Sequence, residues 1–226
     1  MILPGPTKKL FKQTTPGNNM KTILPLFLSV SFSAIAADEI YLAKFTTLNP
    51  QINGVLSGSA TLYLKDKTIV AYSRHFSGYP KAWHMQNVFT GNRCPDQTDD
   101  QNGDGVIDIN EAQAVVGKIL IPLDGNLSSQ LSGGDVFPIA DDFGSYFYEQ
   151  ESSYSAFLKD LKSKDPNPED NVVKLESYEN LNISGKAVLV QGVTDAASLP
   201  ETSSTYGGRS HEQTFPIVCG IFKRVR

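Results

Sequence analysis

The sequence has few of the residues that build transition-metal sites and covalent frameworks: of 226 residues, two are cysteine and three are histidine. No apolar run reaches the roughly 18 residues that a transmembrane helix needs, so no membrane span is expected. Basic residues number 20 against 24 acidic ones, a balance unsuited to neutralising the phosphates of a nucleic acid. The 40% of hydrophobic residues is sufficient for the core of one domain.

The first 36 residues are expected to lie outside the folded domain. A second methionine is followed by Lys21, an apolar stretch over 23–30 and an Ala-Ile-Ala triplet ending at Ala36, which are the three parts of a secretory signal peptide. We therefore predict a signal peptide over Met20–Ala36, preceded by an upstream segment, and an exported protein that is periplasmic or secreted. The alternative is a buried N-terminal helix or strand.

Removal of this segment makes the rest of the chain more acidic. The segment holds four lysines and no acidic residue, so 37–226 retains 16 basic and 24 acidic residues, a formal charge of −8. Its two cysteines, Cys94 and Cys219, would meet an oxidising compartment, and two is the number for one disulfide. Closing so long a loop would add about 4–5 kcal/mol of stability in the chain-entropy model. The alternative is a pair of free buried thiols.

Residues 37–226 are predicted to form a single β domain. Short segments of alternating apolar and polar residues, separated by turn residues, are typical of strands. The predicted strands cover 40–47, a hairpin at 57–76, 82–89, 119–123, 144–149, 187–193 and 215–225. Two helices are predicted, at 110–118 and 155–164, from the spacing of their apolar residues. The expected fold is all-β, an antiparallel sandwich or barrel with one or two short helices in its loops.

One segment, 100–111, matches a metal-binding pattern at every ligand position. An EF-hand loop uses oxygen ligands at positions 1, 3, 5, 7, 9 and 12 and a glycine at position 6, which here is Gly105. The six ligand positions hold Asp100, Asn102, Asp104, the carbonyl of Val106, Asp108 and Glu111. Hard oxygen ligands at this spacing suit Ca²⁺, with Asp108 acting through water. The alternative is an acidic, solvated turn.

The flanks of this loop depart from a complete EF-hand. A helix follows from Glu111, but 92–98 contains a proline and no helical period, and no second loop is available for pairing. Sensor EF-hands work by opening a helix pair. A structural role for Ca²⁺ is therefore expected, in which the ion and a disulfide at Cys94 restrain the same loop.

Motifs near both ends of the domain carry a resemblance to a known family. His84 lies in a predicted strand with Cys94 ten residues after it, the strand at 187–195 ends in an aspartate, and the last strand contains Cys219 followed by a glycine. These features resemble the copper/zinc superoxide dismutase superfamily, with a likeness also to chordin-type (CHRD) domains. The resemblance implies a Greek-key β-barrel and a disulfide.

The same resemblance argues against dismutase chemistry. That family holds copper with four histidines, whereas here only His84 matches the pattern, and Gln86 and Gln191 stand at two of the other positions. The remaining histidines are His75 and His211, and three cannot supply a four-histidine site. Glutamine is a neutral and weaker ligand than imidazole, so His84 is interpreted as an ordinary strand residue.

The sequence as a whole favours an exported, non-catalytic, calcium-binding β domain with a structural or interaction role. Its partner would be an unidentified protein or surface, and neither a catalytic residue nor an oligomeric state is assigned. Two alternatives remain open. One is a divergent superoxide dismutase-like metalloenzyme, and the other is a calcium-dependent surface adhesion module.

Overall fold

The computed structural model describes residues 38–65, 67–129, 137–163, 172–176 and 181–226. These residues form an all-β sandwich of two five-stranded sheets with a few short helices, which confirms the predicted fold class. The predicted signal peptide lies outside the described residues. Within the described ranges, no helix is long and apolar enough to cross a bilayer.

The described part of the chain contains ten strands and four α-helices. In chain order the strands are β1 (Glu39–Lys44), β2 (Thr46–Thr47), β3 (Gly58–Lys65), β4 (Thr68–His75), β5 (Gln86–Phe89), β6 (Ile119–Pro122), β7 (Tyr146–Ser153), β8 (Ala187–Gln191), β9 (Pro216–Ile221) and β10 (Lys223–Arg224). The helices are α1 (Pro50–Asn53), α2 (Ile109–Val116), α3 (Tyr154–Leu161) and α4 (His211–Thr214). Two of them, α2 and α3, have eight residues, and the other two are single turns of four.

The strands divide between the sheets with every pairing antiparallel. The first sheet has the order β10-β1-β3-β4-β7, and the second has the order β2-β9-β8-β5-β6. The predicted hairpin at 57–76 is present as β3 and β4, with eight cross-strand pairs from Gly58–His75 to Lys65–Thr68. Its inward side chains, such as Leu62 and Ile69, join the core between the sheets, because alternate residues of a strand point to opposite faces.

The second sheet is covered on both faces, which explains why its strands are apolar throughout. All residues of β8 are buried, and they alternate between the inter-sheet core and a separate cluster on the outer face. That outer cluster contains Leu189 of β8, Cys219 of β9, and Ile107, Ile109 and Val116 from the segment around α2. The predicted calcium loop and its following helix therefore pack on the outside of the second sheet.

Four predicted strands differ from those observed, and one of them, predicted over 144–149, is β7 at Tyr146–Ser153. The strand predicted over 40–47 divides at Phe45, so that β1 and β2 enter different sheets. The strand predicted over 82–89 begins only at Gln86, because Trp83 makes a single bridge to Ile139 and does not extend the ladder. The last predicted strand divides at Phe222 into β9 and β10. The divisions at Phe45 and Phe222 lie where the chain passes from one sheet to the other.

Cys94 and Cys219 form the predicted disulfide, with 5.7 Å between their Cα atoms and a separation of 125 positions in the chain. Cys219 lies on β9, opposite Thr46 of β2 and Leu189 of β8. Cys94 lies in the loop that leads from β5 to the acidic segment. The bond therefore fastens that loop to the second sheet, and it is compatible with an oxidising compartment.

Replacement of both cysteines by serine is expected to lower the free energy of unfolding by about 2–5 kcal/mol, because the unfolded chain is no longer restricted by the cross-link. Urea unfolding followed by circular dichroism measures this loss. Wild-type protein treated with dithiothreitol is the matched control and should give the same value. A double variant as stable as the oxidised protein would contradict the expectation.

Candidate metal centre

The acidic segment 100–111 is folded into a compact turn by its own carboxylates. Asp100 accepts hydrogen bonds from the backbone N–H groups of Gly103 at 2.7 Å and Asp104 at 3.2 Å through Oδ1, and from Gly105 at 2.8 Å through Oδ2. Oδ1 of Asp104 accepts from the N–H of Val106 at 3.0 Å. The chain can turn this sharply because Gly105 adopts a φ of 88°, which residues with a side chain rarely adopt.

The last two acidic residues of the segment connect the turn to α2. Asp108 caps the helix, its Oδ1 accepting from the N–H groups of Asn110 at 2.8 Å and Glu111 at 3.0 Å. Glu111 folds back over the start of the segment, where its Oε1 accepts from the N–H of Gln101 at 2.8 Å and its Oε2 from that of Asp108 at 2.9 Å. This reciprocal capping brings position 12 of the loop beside position 1.

Burial and charge at this place are unusual. Asp108 is 2% exposed and Glu111 is 6% exposed, yet none of the ion pairs formed by the described residues includes them, Asp100 or Asp104. The nearby guanidinium of Arg93 binds Asp99 instead, with two contacts of 2.7 Å. Buried carboxylates are costly, and here the negative charge is balanced by hydrogen bonds from backbone N–H groups and not by a basic side chain of the described residues.

Asp104 is the carboxyl of this group whose acidity is shifted. Partial burial raises its pKa, but hydrogen bonds from the Thr202 hydroxyl, the Val106 N–H and the Asn102 amide more than offset this, and the pKa of Asp104 lies below its usual value. The carboxylate form is therefore favoured at neutral pH. A deprotonated oxygen is the form that binds a hard cation.

The donor set consists of oxygen alone. Four carboxylates, one amide and the Val106 carbonyl occupy the ligand positions, a set that fits Ca²⁺ and not a soft transition metal. Among the described residues, no three His, Cys, Asp or Glu side chains already stand together at metal-ligand distances. The carboxylates instead face backbone N–H groups, so holding a cation would require Asp100, Asp104 and Glu111 to turn toward the centre of the loop.

One residue outside the acidic segment positions it, and the sequence pattern gave no signal for this residue. The fully buried Asn49 donates from Nδ2 to the carbonyl of Ile107 at 3.0 Å and accepts at Oδ1 from the N–H of Ile107 at 2.8 Å. The same Nδ2 donates to the carbonyl of Pro216 at 2.9 Å, on β9. One amide side chain thus completes the hydrogen bonding of loop position 8 and joins it to the second sheet.

The polar segment after β8 also contacts the acidic turn. The Thr202 hydroxyl donates to Oδ2 of Asp104 at 2.6 Å, and the N–H of Ser204 donates to Oδ2 of Asp108 at 2.8 Å. Both oxygens of Asp108 are therefore engaged by backbone N–H groups. This geometry agrees with a position 9 residue that organises the loop and reaches a metal only through water.

Two of the three histidines, His75 and His84, lie close together and stack on the same tyrosine ring, outside the acidic segment. The ring of Tyr146 lies between His75, at a centroid distance of 3.7 Å, and His84, at 4.9 Å. No ring contact or hydrogen bond of the described residues joins His211 to either of them. Burial lowers the pKa of His84 and lowers that of His75 well below its usual value, with the charge of His84 adding to the effect at His75.

The surroundings of the histidines are unlike a metal site. His84 directs Nδ1 to the carbonyl of Gln191 at 3.0 Å and Nε2 to the carbonyl of Pro80 at 2.8 Å, so both of its ring nitrogens are engaged by backbone. Gln191 donates its amide to the carbonyl of Thr214 at 2.9 Å. Gln86 is fully buried on β5. These residues form a polar, aromatic-stacked part of the interior.

No family model matches the chain, and no curated protein is detectably similar to it in sequence.

Replacement of Asn49 by alanine is expected to lower the free energy of unfolding by about 1–3 kcal/mol, because it leaves buried backbone groups of Ile107 and Pro216 unsatisfied. Urea unfolding in buffer with EDTA measures the loss without any contribution from a cation. The control is Gln51→Ala, which removes an exposed hydrogen bond to the carbonyl of Gly105 and should change stability by less than about 0.5 kcal/mol. Equal losses in the two variants would contradict a special role for Asn49.

Stability is expected to fall as the pH drops below about 6.5, the usual histidine value. The lowered pKa values of His75 and His84 in the folded protein mean that the unfolded chain binds protons first, so acid favours unfolding. Between the pKa of a histidine in the folded protein and its pKa in the unfolded chain, the free energy of unfolding changes by about 1.4 kcal/mol per pH unit for each histidine. Chemical unfolding between pH 7 and pH 5 should show a shallower slope of stability against pH in His75→Gln than in the wild type. A wild-type slope in His75→Gln would contradict the assignment.

Proposed function

We propose that the protein is an exported, non-catalytic β domain that binds one Ca²⁺ in the loop 100–111, and that the ion stabilises this loop for a structural or interaction role. The observation that carries the proposal is the pair of buried carboxylates, Asp108 and Glu111, with which no basic side chain in the described part of the chain is paired. They lie in a turn whose sequence supplies an oxygen ligand at each EF-hand position. A divalent cation bound in the loop would supply the positive charge that these carboxylates lack.

The hydrogen bonding of the turn supports the proposal. Asp100 already lies inside the turn and Glu111 already folds back to its start, so the ends of the loop are close before any cation binds. Binding then requires rotation of side chains and not a new path of the backbone. Preorganisation of this kind lowers the conformational cost of binding.

A stabilising role is better supported than a sensing role. The segment before the loop contributes one short 3₁₀ turn, Gln97–Asp99, where a sensor has a long helix. The loop is also fastened by the disulfide at Cys94 and by Asn49. A sensor exposes a groove when a helix pair opens, whereas here the neighbouring elements are fixed to the second sheet.

The resemblance to the superoxide dismutase superfamily stays a proposal about the fold. With the two-residue β2 and β10 left out, the strand orders are β1-β3-β4-β7 and β9-β8-β5-β6, and consecutive strands change sheet several times. Such crossing connections are those of a Greek-key sandwich. This strand order supports the proposal that the domain shares its architecture with the superoxide dismutase superfamily.

A divergent metalloenzyme of that superfamily is the second candidate, favoured by the approach of His75 and His84 to Tyr146. Two observations weigh against it. Both ring nitrogens of His84 already contact backbone carbonyl groups, and glutamines occupy the matching positions at Gln86 and Gln191. The calcium proposal therefore has the stronger support.

Calorimetric titration with CaCl₂ tests the proposal. The wild type should bind one Ca²⁺ per chain, with a dissociation constant on the order of 10⁻⁴–10⁻³ M, as in other extracellular sites. Asp104→Ala removes a ligand and should weaken binding by roughly tenfold or more.

The matched control is Asp142→Ala, which removes an exposed carboxylate paired with Lys81 and should bind Ca²⁺ as the wild type does. Equal heats from the wild type and Asp104→Ala, with both folded, would refute the calcium proposal. Stoichiometric copper in refolded protein, lost together with activity in His84→Ala, would favour the metalloenzyme instead.

A further inference from the structure

The outward face of the first sheet carries a diagonal row of aromatic side chains. Tyr63 of β3, Tyr72 of β4 and Phe147 of β7 lie on three adjacent strands, with ring-centroid distances of 5.3 Å and 6.0 Å between successive rings. Phe147 is 55% exposed and Tyr63 is 36% exposed. Aromatic side chains gathered in this way on a solvated sheet are typical of a binding surface.

The row lies in a groove with polar walls. The groove has a volume of about 520 Å³, and Ser59, Thr61 and Arg74 line it together with the three aromatic residues. Strand register places Ser59 opposite Arg74, and Thr61 opposite Tyr72. Among the described residues, neither the two hydroxyls nor the guanidinium has a hydrogen-bond or ion-pair partner. These groups are available to a ligand.

The charges around the groove restrict what it could bind. Arg74 lies opposite Phe147 and Lys44 lies opposite Ser59, whereas Glu149 lies opposite Tyr72 and Glu151 lies two residues further along β7. Two cations beside two carboxylates leave no excess positive charge to attract a phosphate-rich ligand such as a nucleic acid. Free hydroxyls and a guanidinium in the groove disfavour a purely apolar ligand, because the ligand would bury them unpaired.

We infer that this groove binds a chain of neutral sugars, with Tyr72 and Phe147 as stacking surfaces. A sugar ring offers an apolar C–H face to an aromatic side chain and hydroxyls at its edge to Ser59, Thr61 and Arg74. The uncharged ligand complements a groove whose own charges nearly cancel. Successive rings of Tyr63, Tyr72 and Phe147 would follow successive sugars across the strands. The groove lies on the first sheet and the acidic loop on the second, so this inference does not depend on calcium binding.

Affinity electrophoresis tests the inference. The purified protein is run in gels containing soluble β-glucan, xylan, mannan or dextran, and insoluble cellulose and chitin are tested by co-sedimentation. At least one neutral polysaccharide should retain the wild type. Tyr72→Ala and Phe147→Ala should weaken that binding by roughly tenfold or more, since truncating a central aromatic contact costs above about 1 kcal/mol.

The control is Phe143→Ala, which removes an equally apolar side chain, 84% exposed on the turn before β7, and should bind as the wild type does. If an alanine variant fails to fold by circular dichroism, Tyr72→Leu and Phe147→Leu replace it, because leucine retains apolar bulk without a flat ring. Absence of binding to every polysaccharide would overturn the inference, as would equal binding by wild type and folded variants. Retention by single-stranded oligothymidine in place of any polysaccharide would also overturn it.

Discussion

The structure depends on how the acidic segment 100–111 is held against the outer face of the second sheet. Its apolar residue Ile107 is fully buried there, Asn49 satisfies the backbone of that residue, and the Cys94–Cys219 bond fastens the approach to β9. None of these contacts is ionic. Because neutral contacts hold the segment in place, its position does not depend on its carboxylates, whose mutual repulsion grows as water is excluded.

Local patterns in the sequence predicted the parts of the fold that depend on local interactions. The hairpin of β3 and β4, the helix α2 and the ligand spacing of the acidic loop are each specified by neighbouring residues. Asn49 could not be predicted, because it acts on Ile107 across 58 positions and an isolated asparagine has no pattern. The break at Phe45 has the same origin, since the strand pattern continues through it and only the packing of two sheets divides it.

The strand β4 shows how one stretch of sequence serves two environments. Its alternation directs Ser73 and His75 into the interior, where His75 stacks on Tyr146, and directs Tyr72 and Arg74 to the solvated groove. The histidine count alone predicted that a copper site of the dismutase type could not form. It could not predict that two histidines would flank one tyrosine, because this depends on the pairing of β4 with β7 and on the path of the chain before β5.

The disulfide has a topological consequence as well as an energetic one. It closes a covalent ring that includes every residue from Cys94 to Cys219, and therefore the strands β6, β7 and β8 and the acidic loop. A single cut in the backbone anywhere inside this ring opens the ring but leaves both fragments joined through sulfur. A protein built in this way can be cut once by a protease inside the ring and still remain one covalently joined molecule.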